Sequence, residues 1–89
     1  MLHFNKDYYT LEIMDDAVII YNQNKISDIM ILNITAKYFF ENLLKSDNVS
    51  HIARNYIKHI NDQVDFTIVL EDIVQFRQTL IEKDIVYES

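Results

Sequence analysis

The chain has 89 residues, no cysteine and a net charge of −6, from 14 acidic against 8 basic residues. That length supports one core, burying roughly 60–65% of the surface the unfolded chain would expose; we expect a single domain over residues 1–89 with little room for a deep catalytic cavity. The negative balance disfavours a nucleic-acid surface, the missing thiols exclude disulfides and thiolate zinc sites, and apolar runs of about five residues are far short of a membrane span.

The N-terminus, MLHFNKDYY, shows no signal-peptide pattern, so a cytoplasmic address is the default expectation. With 49% hydrophobic and 25% charged residues, the composition is that of a folded protein. Glycine and proline are both absent, so turns must be made by Asn and Asp, the next most tolerant of left-handed backbone. Two such places are Asp15-Asp16 and Asn22-Gln23-Asn24. They separate three short runs, residues 10–14, 17–21 and 28–32, rich in β-branched and aromatic residues. Linkers this short favour antiparallel neighbours, which makes a three-stranded meander.

After Leu32 the apolar period changes to that of a helix. Thr35 is the expected N-cap of a first helix carrying Ala36, Phe39, Phe40 and Leu43, ending near Lys45. Asn48 is placed to cap a second, with its stripe at Val49, Ile52, Ala53, Tyr56, Ile57 and Ile60. Asn61-Asp62-Gln63 makes the next break, and Asp65 is a good cap for a third helix over residues 66–83. The end, Asp84-Ile85-Val86-Tyr87, reads as a short extended tail. The fold class expected is therefore α+β, a three-stranded antiparallel sheet followed by three helices (βββααα), compatible with a winged helix-turn-helix.

In that order the residues resemble the PqqD-like family, the peptide-recognition domains of ribosomal peptide-modification pathways. Leu32-Asn33-Ile34-Thr35 is similar to the family's Leu-Asn-x-Thr step into its first helix. Asn48-Val49 with Ile52-Ala53 matches at the second helix, and Asp65 precedes the third. Asp72-Ile73, Phe76, Leu80 and Ile85 follow the spacing of the family's third helix and its exit. The likeness covers residues 11–86, and the order and separation of these short motifs carry it. The chain departs from the family at Asp84 and Ala36, where glycine is often found. The resemblance implies a domain without catalytic activity or cofactor that binds the leader segment of a precursor peptide. The leader would be added as a β-strand beside the third strand, its side chains in a cleft against the third helix. The partners implied are that leader and a modifying enzyme or leader peptidase.

The residues speak to the same role on their own terms. Ile29, Met30, Ile31 and Leu32 are apolar at every position, so both faces of this strand are expected to be covered. In a meander it is an edge, and it lacks the proline and charges that protect edges from strand addition. Such an edge accepts a peptide by β-augmentation, or is covered by the chain's own residues 2–9, or pairs with a second copy in a homodimer. In the third helix, Val69, Leu70, Ile73, Val74, Phe76, Leu80 and Ile81 share an apolar arc roughly 160° wide, and Arg77 falls inside it. Such an arc exceeds the needs of a one-sided core. Its flank of Phe66, Leu70, Val74 and Ile81, with Arg77 and the central Ile73, is therefore a candidate lining for the cleft. Arg77 would meet a leader carboxylate or carbonyl there, or else pair with an acid of its own chain.

Other chemistry is sparse. His51 and His59 lie two turns apart outside the second helix's apolar stripe, His3 is near a terminus, and Asp15-Asp16 has no companion base. There is no Gly-rich phosphate loop and no metal-ligand cluster in the spacing. A winged-helix DNA reader would surround its recognition helix with bases, whereas the third helix offers Arg77 and Lys83 against Glu71, Asp72 and Glu82.

Overall fold

The structure is a computed structural model describing residues 1–14 and 16–89, the side chains of Ile26 and Ser27 excepted. Asp15, half of the first expected turn, lies outside the described residues. The elements run β1 (Leu2–Phe4), β2 (Tyr8–Glu12), β3 (Val18–Asn22), β4 (Lys25–Leu32), α1 (Ile34–Leu43), α2 (Val49–Ile60), α3 (Phe66–Glu82) and β5 (Val86–Glu88). Strands β2, β3 and β4 form the expected antiparallel meander, in that spatial order, and three helices follow.

The sheet is half-buried, and its central strand β3 alternates with the period of two that a strand imposes. Tyr8, Val18, Ile20 and Leu32 turn inward and join Phe39, Phe40 and Leu43 of α1, Ile52 and Ala53 of α2, and Val69, Ile73 and Leu80 of α3 in one core cluster. Each such aliphatic side chain, fully buried, contributes about 1.5–3 kcal/mol. The helix caps are Asn and Asp side chains accepting from backbone N–H groups: Asn33 from Ala36, Asn48 from His51, and Asp65 from Thr67. The second and third are as expected. The first moves from Thr35 to Asn33, whose Oδ1 sits 2.9 Å from the Ala36 nitrogen, while the Thr35 hydroxyl bonds the Tyr56 hydroxyl at 3.1 Å.

With no glycine, three of the described residues adopt left-handed backbone: Met14, Asn61 and Asp84, at φ 68°, 51° and 59°. Asn61 ends α2. Asp84 ends α3 in a Schellman arrangement, its N–H donating to the Ile81 carbonyl and the Ile85 N–H to the Leu80 carbonyl, both at 3.0 Å. A residue other than glycine thus supplies the left-handed turn that ends α3. Met14 breaks the strand expected over residues 10–14, and β2 instead begins earlier, where Tyr8 pairs with Asn22.

A second sheet was not anticipated: β1 pairs antiparallel with β5, Leu2 opposite Glu88 and Phe4 opposite Val86. Leu2 and Val86 are both fully buried in the core. The short extended tail is thereby a strand, and the N-terminal residues are its partner rather than a cover for β4.

A candidate peptide-binding edge

β4 pairs with β3 on one side, and among the described residues no strand pairs with its other side. Residues 29–32 form the regular part of its ladder: Ile29 faces Tyr21, Met30 faces Ile20, Ile31 faces Ile19 and Leu32 faces Val18. The register then shifts, Lys25 standing opposite Asn22. The stretch free of such irregularity is therefore the same apolar stretch that lacks charge and proline. Met30 and Leu32 pack toward the core, but Ile29 and Ile31 are 53% and 67% exposed. The expectation that both faces would be covered fails for the outer face, because all three helices lie on the inner one.

Two hollows open beside α3: one between it and the start of α1, just past the end of β4, and the other at the hairpin end of β4. The smaller, about 370 Å³, is lined by Asn33, Thr35, Ala36 and Phe39 on one wall and by Asp72, Gln75, Phe76 and Thr79 on the other. The larger, about 580 Å³, lies at the hairpin end, where Asp28, Ile29 and Met30 face residues 82–87 across a floor that includes Tyr8 and Asn22. On α3 the lining residues Asp72, Gln75, Phe76, Thr79, Glu82 and Lys83 recur at three- and four-residue spacing, so they form one stripe. The wall beyond α3 is held in place by Asn5, which donates from Nδ2 to the Asp84 carbonyl at 2.8 Å, and by Tyr8, whose hydroxyl donates to the Lys83 carbonyl at 3.1 Å. Asp7, Asp28, Glu82 and Asp84 outnumber Lys25 and Lys83 around this hollow, and none of the six enters an ion pair among the described residues.

Of the helix residues expected at the cleft, Ile73 is fully buried in the core. Phe66, Leu70, Val74, Arg77 and Ile81 line neither hollow. They sit on the opposite flank, across the core stripe of Val69, Ile73 and Leu80. Two contacts locate that flank: the Arg54 guanidinium lies 5.4 Å from the centre of the Phe66 ring, tying it to α2, and Arg77 donates from Nη2 to Glu88 Oε1 in β5. An apolar arc gives the width of a buried face but not which of its edges meets the sheet. Asp72, Gln75 and Thr79 were passed over because they are polar, as groove residues beside a strand edge often must be.

The histidines are separate: His51 bonds Asn55 at 3.0 Å, His59 stacks on Tyr38 and His3 on Tyr87. Among the described residues no three His, Cys, Asp or Glu side chains are grouped to hold a metal, and no helix is long and apolar enough to cross a membrane.

No family model matches the sequence, and no curated protein matches it. In three dimensions the chain superposes on TbiB1 in complex with the TbiA(beta) leader peptide, with a TM-score of 0.72 at 18% identity over 97% of this chain and 98% of that one. At that identity the match establishes a shared fold along essentially the whole chain, and it agrees with the resemblance carried by residues 11–86.

Proposed function

We propose that this chain is a non-catalytic leader-binding domain that takes up the leader of a ribosomally made precursor peptide as a fourth strand on β4 and presents it to a modifying enzyme or leader peptidase. The observation that carries the reading is the bare, regular, uncharged edge at residues 29–32 set between two hollows against α3. Backbone bonds along such an edge supply affinity, and alternate side chains entering hollows supply selectivity. The fold shared with a protein solved in complex with a leader peptide supports it. On the helix side the proposed contacts are Asp72, Gln75, Phe76 and Thr79 rather than the flank holding Arg77.

The test is a titration with a labelled synthetic peptide matching the leader encoded beside the gene, followed by amide hydrogen exchange. Binding should protect amides within residues 29–32. Met30→Pro, which fixes φ and obstructs edge pairing, should weaken binding at least tenfold after correction for its folded fraction, measured in parallel. Saturable binding that leaves these amides unprotected would remove β4 from the mechanism, and absence of binding would remove the function.

A further inference from the structure

The larger hollow has a neutral, hydrogen-bonding floor beneath a charged rim. Its charged residues are all exposed, whereas Tyr8 and Asn22 at the floor are buried. Asn22, 9% exposed, is the one buried polar residue among those described. It lies on the inner face of β3, two residues beyond the fully buried Ile20 and opposite Tyr8 of β2. Its Oδ1 accepts from the Asn24 N–H at 2.8 Å, which fixes the orientation of the amide, because a backbone N–H must meet an oxygen. Its Nδ2 donates to nothing among the described residues, yet no enclosed side-chain nitrogen or oxygen among them lacks a partner. That nitrogen therefore opens into the hollow, a donor without an acceptor. Tyr8 supplies the reverse: its hydroxyl hydrogen goes to the Lys83 carbonyl, and its oxygen keeps lone pairs free to accept.

We propose that Asn22 determines specificity: together with Tyr8 it reads an uncharged primary amide, the side chain of an Asn or Gln in the leader, entering the larger hollow. This rests on the reading of β4 as the edge that receives the leader. Side chains of an added strand alternate between the faces of the sheet, so one on the same face as Met30 points inward, toward the hollow that Met30 helps to line. The floor then chooses among side chains. A carboxylate would accept from Asn22, but it would leave water at a rim where four acids face two lysines, and it has no hydrogen to offer Tyr8. An ammonium or guanidinium suits the rim but has no acceptor, so it would seal the Asn22 donor away from water without a partner. An aliphatic side chain strands both groups. An amide offers its carbonyl to Asn22 and an N–H to Tyr8, and it has no charge to desolvate. A hydroxyl would have to serve both through one atom, whereas Tyr8 reaches the end of α3 and Asn22 is held at the β3–β4 turn.

The test uses the labelled peptide matching the leader encoded beside the gene, each residue replaced in turn by alanine, titrated against the parent protein and Asn22→Asp. That variant keeps an oxygen for the Asn24 N–H, and so the turn, but exchanges the free donor for an acceptor; its urea midpoint is measured alongside. Amide exchange in each complex reports whether residues 29–32 are protected. Against the parent, alanine at one Asn or Gln should weaken binding at least about tenfold, as for a buried group left unpaired. Against Asn22→Asp the same replacement should cost less than about threefold, the two effects being coupled through one contact. A leader carrying Lys at that position should bind Asn22→Asp more tightly than it binds the parent. A scan without a sensitive Asn or Gln, or one that is the same against both proteins, overturns the proposal alone when residues 29–32 are protected. A sensitive Lys or Arg overturns it in favour of the rim carboxylates. Binding without that protection, or no binding, removes the edge reading and this inference with it.

Discussion

Asp84 holds a backbone conformation that glycine adopts without penalty, at φ 59°. Replacing it with glycine removes the clash between Cβ and backbone while keeping the carbonyl that Asn5 grips. Asp84→Gly should raise stability by about 0.5–1 kcal/mol, read as a higher urea midpoint with unchanged slope, and Asp84→Val should lower it. Arg77 is the second residue whose surroundings decide its meaning. Its partner Glu88 is more than half exposed, so water screens the pair, and such contacts contribute about 0–1 kcal/mol. Arg77→Ala should therefore cost no more than about 1 kcal/mol and leave leader affinity unchanged. A large loss of affinity with stability intact would return this arginine to the peptide site.

At the scale of elements, β1 is three residues long and begins at position 2, where substitutions are ordinarily tolerated. Leu2 is nevertheless among the fully buried side chains of the core. Leu2→Ala should cost about 2–3 kcal/mol, as for an interior leucine, in thermal or urea unfolding. This strand shows where a reading of the sequence stops. α2 and α3 were legible to their caps because Asn48 and Asp65 act on N–H groups two or three residues away. The meander was legible because its strands are joined by short Asn- and Asp-containing turns. The β1–β5 pairing joins residues more than eighty positions apart, and two runs of three residues carry no pattern that names each other. The candidate site divides in the same way: the edge at residues 29–32 followed from its composition, whereas the facing wall of α3 depends on how the helix is rotated against the sheet. That rotation is set by packing with α2 and β5, which no single-helix periodicity contains.

For the whole molecule, charge and shape point the same way. Acids outnumber lysines around the larger hollow, and the net charge is −6. A duplex would find too few clustered cations to release its counterions. No saturable binding to duplex DNA is expected at physiological salt by fluorescence anisotropy, and a site bound at nanomolar concentration would reverse the reading of this winged-helix-like fold.

The pairing of β1 with β5 also fixes an order of events in time. Leu2 leaves the ribosome more than eighty residues before Val86, yet both belong to the same buried cluster. Synthesis proceeds at roughly 5–20 residues per second, so for several seconds the nascent chain has helices and hairpins but no closed core. Until β5 arrives, Leu2 and the inner face of the meander remain open to other chains. The domain should therefore acquire protease resistance only once β5 has emerged. A fragment ending at residue 83 should stay unfolded in far-UV dichroism and proteolysis although it contains every helix.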